Sequence, residues 1–114
     1  MNAEYKKLDR VRPNSTSATV IFTPRGGVRY IGKLLIVANV SAAKRKFSVY
    51  YDDDGTTYDD DSVLYSEIEI PGNTTWEIDF GGVGLPINES SGNLAVQTDV
   101  ADDINFTLFG DQLS

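Results

Sequence analysis

Hydrophobic and polar residues alternate with a period of two along most of this chain. Ile68 and Ile70 alternate with Glu67 and Glu69, and Trp76, Ile78 and Phe80 alternate with Glu77 and Asp79. A strand buried on one face and wet on the other produces this pattern. Similar runs cover Ala18 to Thr23, Arg45 to Tyr51, Asn93 to Thr98 and Ile104 to Phe109. The pieces between them (PRGG, VSAAK, PGNTT, GGVGLPINESSG and DVADD) are rich in turn formers. From Val28 to Asn39 the pattern breaks. YIGKLLIVAN is continuously apolar, which predicts a strand that lies deep or bends at Gly32.

Strands spaced roughly 8 to 12 residues apart, without helical periodicity, predict an all-β fold. The expected architecture is an antiparallel β-sandwich of about seven to eight strands with Greek-key or jelly-roll wiring. Its core would comprise Phe47, Val49, Ile68, Ile70, Trp76, Ile78, Phe80, Leu94, Val96, Ile104, Phe106 and Leu108. Each buried large side chain there contributes on the order of 1.5 to 3 kcal/mol. The opening MNAEYKKLDRVRPNST shows little apolar periodicity. Residues 1–16 therefore read as an extended N-terminal arm, basic and polar, ahead of a sandwich domain at 17–114.

At 114 residues and 40% apolar composition the chain fits one domain with a core large enough to need no disulfide. It contains no cysteine and no histidine, which removes thiolate nucleophiles, the usual general base near neutral pH and the common ligands of zinc, copper and iron. A bound metal would have to be hard and oxygen-liganded. The Ser and Thr residues lack a base, no carboxylate pair stands out, and Arg25-Gly26-Gly27 reads as a hairpin turn instead of a phosphate loop. The expectation is a non-enzymatic protein. The longest apolar run, LLIVANV, falls short of the roughly 20 residues that cross a bilayer, and the polar start lacks a signal peptide's apolar stretch. These features predict a chain that is neither exported nor membrane-bound.

Charge is divided along the chain. Up to Lys46 there are ten bases and two acids, a net +8; beyond it there are fifteen acids and no base, a net −15. Two accounts fit. Interleaved strands can neutralise each other within one subunit, or Lys6, Lys7, Arg10 and Arg12 can form an interface with an acidic face on a neighbouring copy or a larger assembly. The overall charge of −7 argues against nucleic acid as partner.

The stretch YYDDDGTTYDDD, residues 50–61, raises the question of calcium. Aligning Gly55 with the glycine of an EF-hand loop puts Tyr50 where the first carboxylate belongs, and strands flank the segment where helices should. Solvated carboxylates about 6 Å apart repel by only roughly 0.7 kcal/mol in water, so the run needs no ion to exist. A solvated loop is the leading reading. The alternative is a weak calcium site built from Asp52, Asp54, Asp59 and Asp61.

The ordered series from VIFTPRGGVRYIGK through the ANVS turn, the SVYYDDDGTTYD strand and loop, the PGNTT turn and the closing NLAVQT and FTLFG strands resembles small all-β virion proteins of tailed bacteriophages. The resemblance covers about Val20 to Gly110 and leaves the basic arm outside. It implies a capsid decoration or cement protein, or a neck or tail protein, without catalytic residues. The implied partners are a major capsid or other virion protein and further copies of the chain. The implied location is the virion, reached through the host cytoplasm. The alternative is a module that reads glycans or a host surface through loops at Tyr50 to Asp61 and Gly81 to Gly92, with Tyr51, Tyr58 and Tyr65 stacking on sugar rings.

Overall fold

A computed structural model describes residues 3–22, 24, 27–52, 58–59, 61–81, 84–88 and 93–113. Its strands are β1 (Ala3–Val11), β2 (Thr19–Phe22), β3 (Arg29–Asn39), β4 (Arg45–Asp52), β5 (Val63–Ile70), β6 (Thr74–Asp79), β7 (Leu85–Ile87), β8 (Asn93–Thr98) and β9 (Ile104–Leu113). One sheet has the order β1-β9-β3-β6, with β7 also on β3, and the other has the order β2-β8-β4-β5. All pairings are antiparallel.

The pairing is nested. β4 pairs with β5, β3 with β6 and β7, β2 with β8, and β1 with β9. The chain is thus one long hairpin, with its tip between β4 and β5, wound into a two-sheet jelly roll. The expected sandwich is present, and the acidic run occupies the hairpin tip. Arg25, Gly26, Asp54 and Gly55 lie outside the described residues.

Inward side chains from both sheets meet in a core of Ile21, Tyr30, Leu35, Val37, Phe47, Val49, Ile70, Ile78, Ile87, Leu94, Val96, Ile104, Phe106 and Leu108. Phe47 and Phe106 join the sheets edge to face, with ring centroids 5.9 Å apart. Three expected core residues stand differently. Ile68 and Phe80 are half-buried against the core, and Trp76 is 37% exposed. Trp76 lies on edge strand β6, where its indole covers Phe47 at a centroid distance of 6.4 Å while its other side faces solvent.

The basic leading segment is extended, and residues 3–11 run beside β9 as an edge strand, from Ala3 opposite Leu113 to Val11 opposite Phe106. Leu8 and Val11 pack against the core. A bulge at Leu8 separates the Lys7–Phe109 and Asp9–Leu108 pairs, and a second at Lys33 separates Gly32–Gly110 from Leu34–Phe109. The two bulges face the same stretch of β9, Leu108 to Gly110, from either side. A side chain at Gly110 would strike the Ile31 carbonyl, so this close approach needs glycine.

At the opposite end of the strands, buried Asn39 holds two turns together. Its Nδ2 donates to the carbonyls of Ala43 (2.8 Å), Ile70 (3.1 Å) and Pro71 (3.1 Å), while its Oδ1 accepts from Ser41 N (3.0 Å) and Ser41 Oγ (2.8 Å). Asn73 N donates to Ser41 O across the same gap, and a side chain at Gly72 would collide with the Ala42 carbonyl. Replacing Asn39 by Ala strands the buried Ile70 carbonyl and removes the part-buried bonds to Ala43, Pro71 and Ser41. Asn39→Ala is expected to lower unfolding free energy by about 2 to 3 kcal/mol in urea denaturation. A loss within experimental error of zero would show that the turns hold without it.

Candidate interaction surface

Strand pairing fixes which way the basic residues of β1 face. Tyr5, Lys7 and Arg10 lie opposite Asp111, Phe109 and Thr107, so they share the outer face of the first sheet with those β9 residues. Tyr5 stacks on Phe109 at 6.5 Å and 16° and still leaves 57% of its surface exposed. Lys6, Lys7, Arg10 and Arg12 are all exposed. Arg12 Nε donates to Asn105 Oδ1 at 2.6 Å, and Arg10 and Arg12 frame a shallow cleft of about 380 Å³ over Val11, Phe106 and Thr107. Among the described residues Lys7 and Arg10 take part in no ion pair. Of the four predicted interface cations, Lys6, Lys7 and Arg10 lie on edge strand β1, and Arg12 lies just past its end.

Other bases of the first half do meet acids of the second. Arg45 Nε reaches Asp103 Oδ2 at 2.7 Å with both side chains about three-quarters buried, Lys33 Nζ reaches Asp111 at 3.0 Å, and exposed Lys44 meets Glu69 at 3.1 Å. The Arg45 pair is the shortest and the best shielded. The exposed Lys44 pair is of the kind that contributes little. Internal neutralisation thus operates between central strands and at the turns.

The acidic tip is organised by its own backbone where it is described. Asp59 Oδ1 accepts from Asp61 N at 3.0 Å, Asp59 N donates to Ser62 Oγ at 3.1 Å, and Ser62 N donates to Asp59 O at 3.0 Å. This is a side-chain-closed turn of the kind Asp favours. It uses one oxygen of a candidate metal ligand. Asp59 and Asp61 are exposed and Asp52 is half-buried on β4, whereas Asp54 lies outside the described residues. Among the described residues no three of the His, Cys, Asp and Glu side chains gather as a metal site would require.

The tyrosines suggested for sugar stacking are half-buried. Tyr51 Oη donates to the Pro86 carbonyl at 2.5 Å, Tyr58 meets Tyr50 edge to face at 6.2 Å, and Tyr65 packs on the core. Much of the second proposed loop lies outside the described residues. A feature that alternation alone does not reveal is an apolar cleft of about 490 Å³ between β5 and β6, lined by Phe47, Tyr65, Ile68, Trp76 and Ile78. The sheets part there because β5 and β6, each at the edge of its own sheet, touch only lightly.

No protein-family model and no curated protein matches the chain. Among solved structures it is similar to the coat protein of Tobacco streak virus, at 14% sequence identity and a TM-score of 0.50. The similarity covers 99% of this chain and 86% of that one. At that identity the likeness is one of fold, and it extends over the whole jelly roll.

The Asp59 turn distinguishes the two readings of the acidic tip. Asp59→Ala is expected to cost about 1 kcal/mol through loss of the turn bond. The wild-type melting midpoint should be the same in millimolar calcium and in chelator. A saturable rise with calcium, absent in the variant, would instead assign the tip to an ion.

Proposed function

We propose that this chain is a non-enzymatic structural protein of a bacteriophage virion, a capsid decoration or cement protein held in place by protein–protein contacts. The observation that carries the reading is the combination of a coat-protein-like jelly roll spanning 99% of the chain with an exposed basic strand edge. The motif series from ANVS to FTLFG directs it towards a tailed-phage particle. The partner is an acidic surface on the major capsid protein or another virion protein, approached through Lys6, Lys7, Arg10 and Arg12. Long-range attraction between such patches speeds encounter and weakens with salt.

The placement of β1 determines how this is tested. Removing residues 1–13 would strip Leu8 and Val11 from the core and expose β9 as a new edge, so truncation confounds attachment with folding. Charge reversal keeps the strand. The double variant Lys7→Glu, Arg10→Glu is expected to melt within a few degrees of wild type and to load onto particles lacking the protein at least about tenfold more weakly, with wild-type loading falling as salt rises. Undiminished loading of the folded variant, or loading indifferent to salt, would remove the basic edge from the contact.

A further inference from the structure

Each sheet of the jelly roll has two outer strands, and stacking the sheets brings these edges together as two flanks. β1 and β2 form one flank, and β5 and β6 form the other. The first flank carries Lys6, Lys7, Arg10 and Arg12 against Glu4 and Asp9, and the Asp9 carboxylate accepts from Arg10 N at 2.7 Å. The second carries Glu67, Glu69, Glu77 and Asp79 and has no base on either strand. Glu67 and Glu77 are exposed and join no ion pair among the described residues.

The flanks also hold most of the exposed large apolar side chains. Tyr5 (57%) and Val20 (40%) lie on the basic flank; Leu64 (44%) and Trp76 (37%) lie on the acidic flank, where Trp76 lines the cleft between β5 and β6. Charge on a strand edge ordinarily serves to keep other strands away. Here the two edges carry opposite signs. Like flanks repel and unlike flanks attract, while the apolar residues on both supply surface that water leaves on contact.

Strand direction agrees with such a contact. The first sheet runs β1-β9-β3-β6 with every neighbour antiparallel, so β1 and β6 point in opposite directions. A second copy in the same orientation, placed beside the first, brings its β1 antiparallel to β6. We infer that the acidic β5–β6 flank is a docking surface for the basic β1–β2 flank of a second copy of this chain. The contact is heterologous, so repetition generates rings or open rows. It deepens the assembly role proposed above by naming a partner, and it can fail independently of that role.

Sedimentation velocity of the full chain tests the inference. Wild type should self-associate at low ionic strength and dissociate as salt rises. Two variants, Lys7→Glu with Arg10→Glu and Glu67→Lys with Glu77→Lys, should each retain a cooperative thermal melt and associate at least about tenfold more weakly. The first variant has two acidic flanks, whereas the second keeps its basic flank and is neutral on the other, where Glu69 and Asp79 balance the two new lysines; each variant thus retains one native flank. An equimolar mixture should therefore recover association that neither shows alone. A wild-type chain that stays monomeric at low salt overturns the inference, as do folded variants that associate like wild type or whose mixture stays monomeric. If that chain still loads onto particles, the copy-to-copy contact is wrong and the virion role stands. If the mixture associates but particles never take up the protein, the contact stands and the virion role is wrong.

Discussion

An open sheet ends in strands whose outer backbone groups lack a partner, and two stacked open sheets have four such edges. Nested pairing decides which parts of the chain occupy them. The beginning, residues 3–22, supplies one flank, and the centre, residues 63–79, supplies the other. Because bases cluster before Lys46 and acids after it, winding converts a division along the sequence into a division in space. In the central strands the same winding juxtaposes early bases with late acids, giving the Lys33–Asp111 pair and, at the strand ends, Arg45–Asp103. Neutralisation within the subunit and exposure of unlike flanks are therefore two results of one topology.

Most of the strands and core were legible in the sequence because a half-buried strand must alternate and because few polar residues interrupt the inward rows. The strand read from Asn93 to Thr98 has those bounds, and the stretch expected to lie deep or bend at Gly32 shows a register shift between Gly32 and Leu34. What escaped has a common cause. In β1 the outward residues are Tyr5, Lys7 and Arg10, spaced by two and then three because a bulge at Leu8 shifts the phase. Half an edge strand's surroundings are water, so its apolar signal shrinks to Leu8 and Val11. The same edge effect exposes Trp76, which alternation places inward but which sits on a strand paired on one side only. Of the candidate site, the four cations were legible as a cluster. Their opposite number on β5 and β6 was not, because only topology shows that those acids form the far flank.

Asn39 explains why two short motifs occur together. The ANVS turn follows β3 and the PGNTT turn precedes β6, about thirty residues apart in the chain, yet one amide bonds the backbone of both. The motifs are halves of a single hydrogen-bonded unit, so a substitution at Asn39, Ser41 or Gly72 affects both. A buried polar side chain is costly unless its bonds are made, and here the two Nδ2 hydrogens are shared among three carbonyls while Oδ1 accepts twice. Such a unit admits one relative placement of its strands, which fixes the register of β3 against β6 and the position of the β6 edge.

A jelly roll is compatible with many activities, so function has to be argued from its surfaces. The clefts described here are open, and the largest lies between two edge strands, where a protein surface fits better than an enclosed small molecule. Opposite charge on opposite flanks further restricts the form of assembly. A two-fold contact would bring a flank against its own copy and oppose like charges, whereas a head-to-tail contact pairs unlike charges at every junction and leaves a competent flank at each end. If copies join in this way, growth would stop only by ring closure or at the limit of whatever surface carries them. The proposed contact would suit the proposed place on a particle surface, where identical sites recur at fixed spacing.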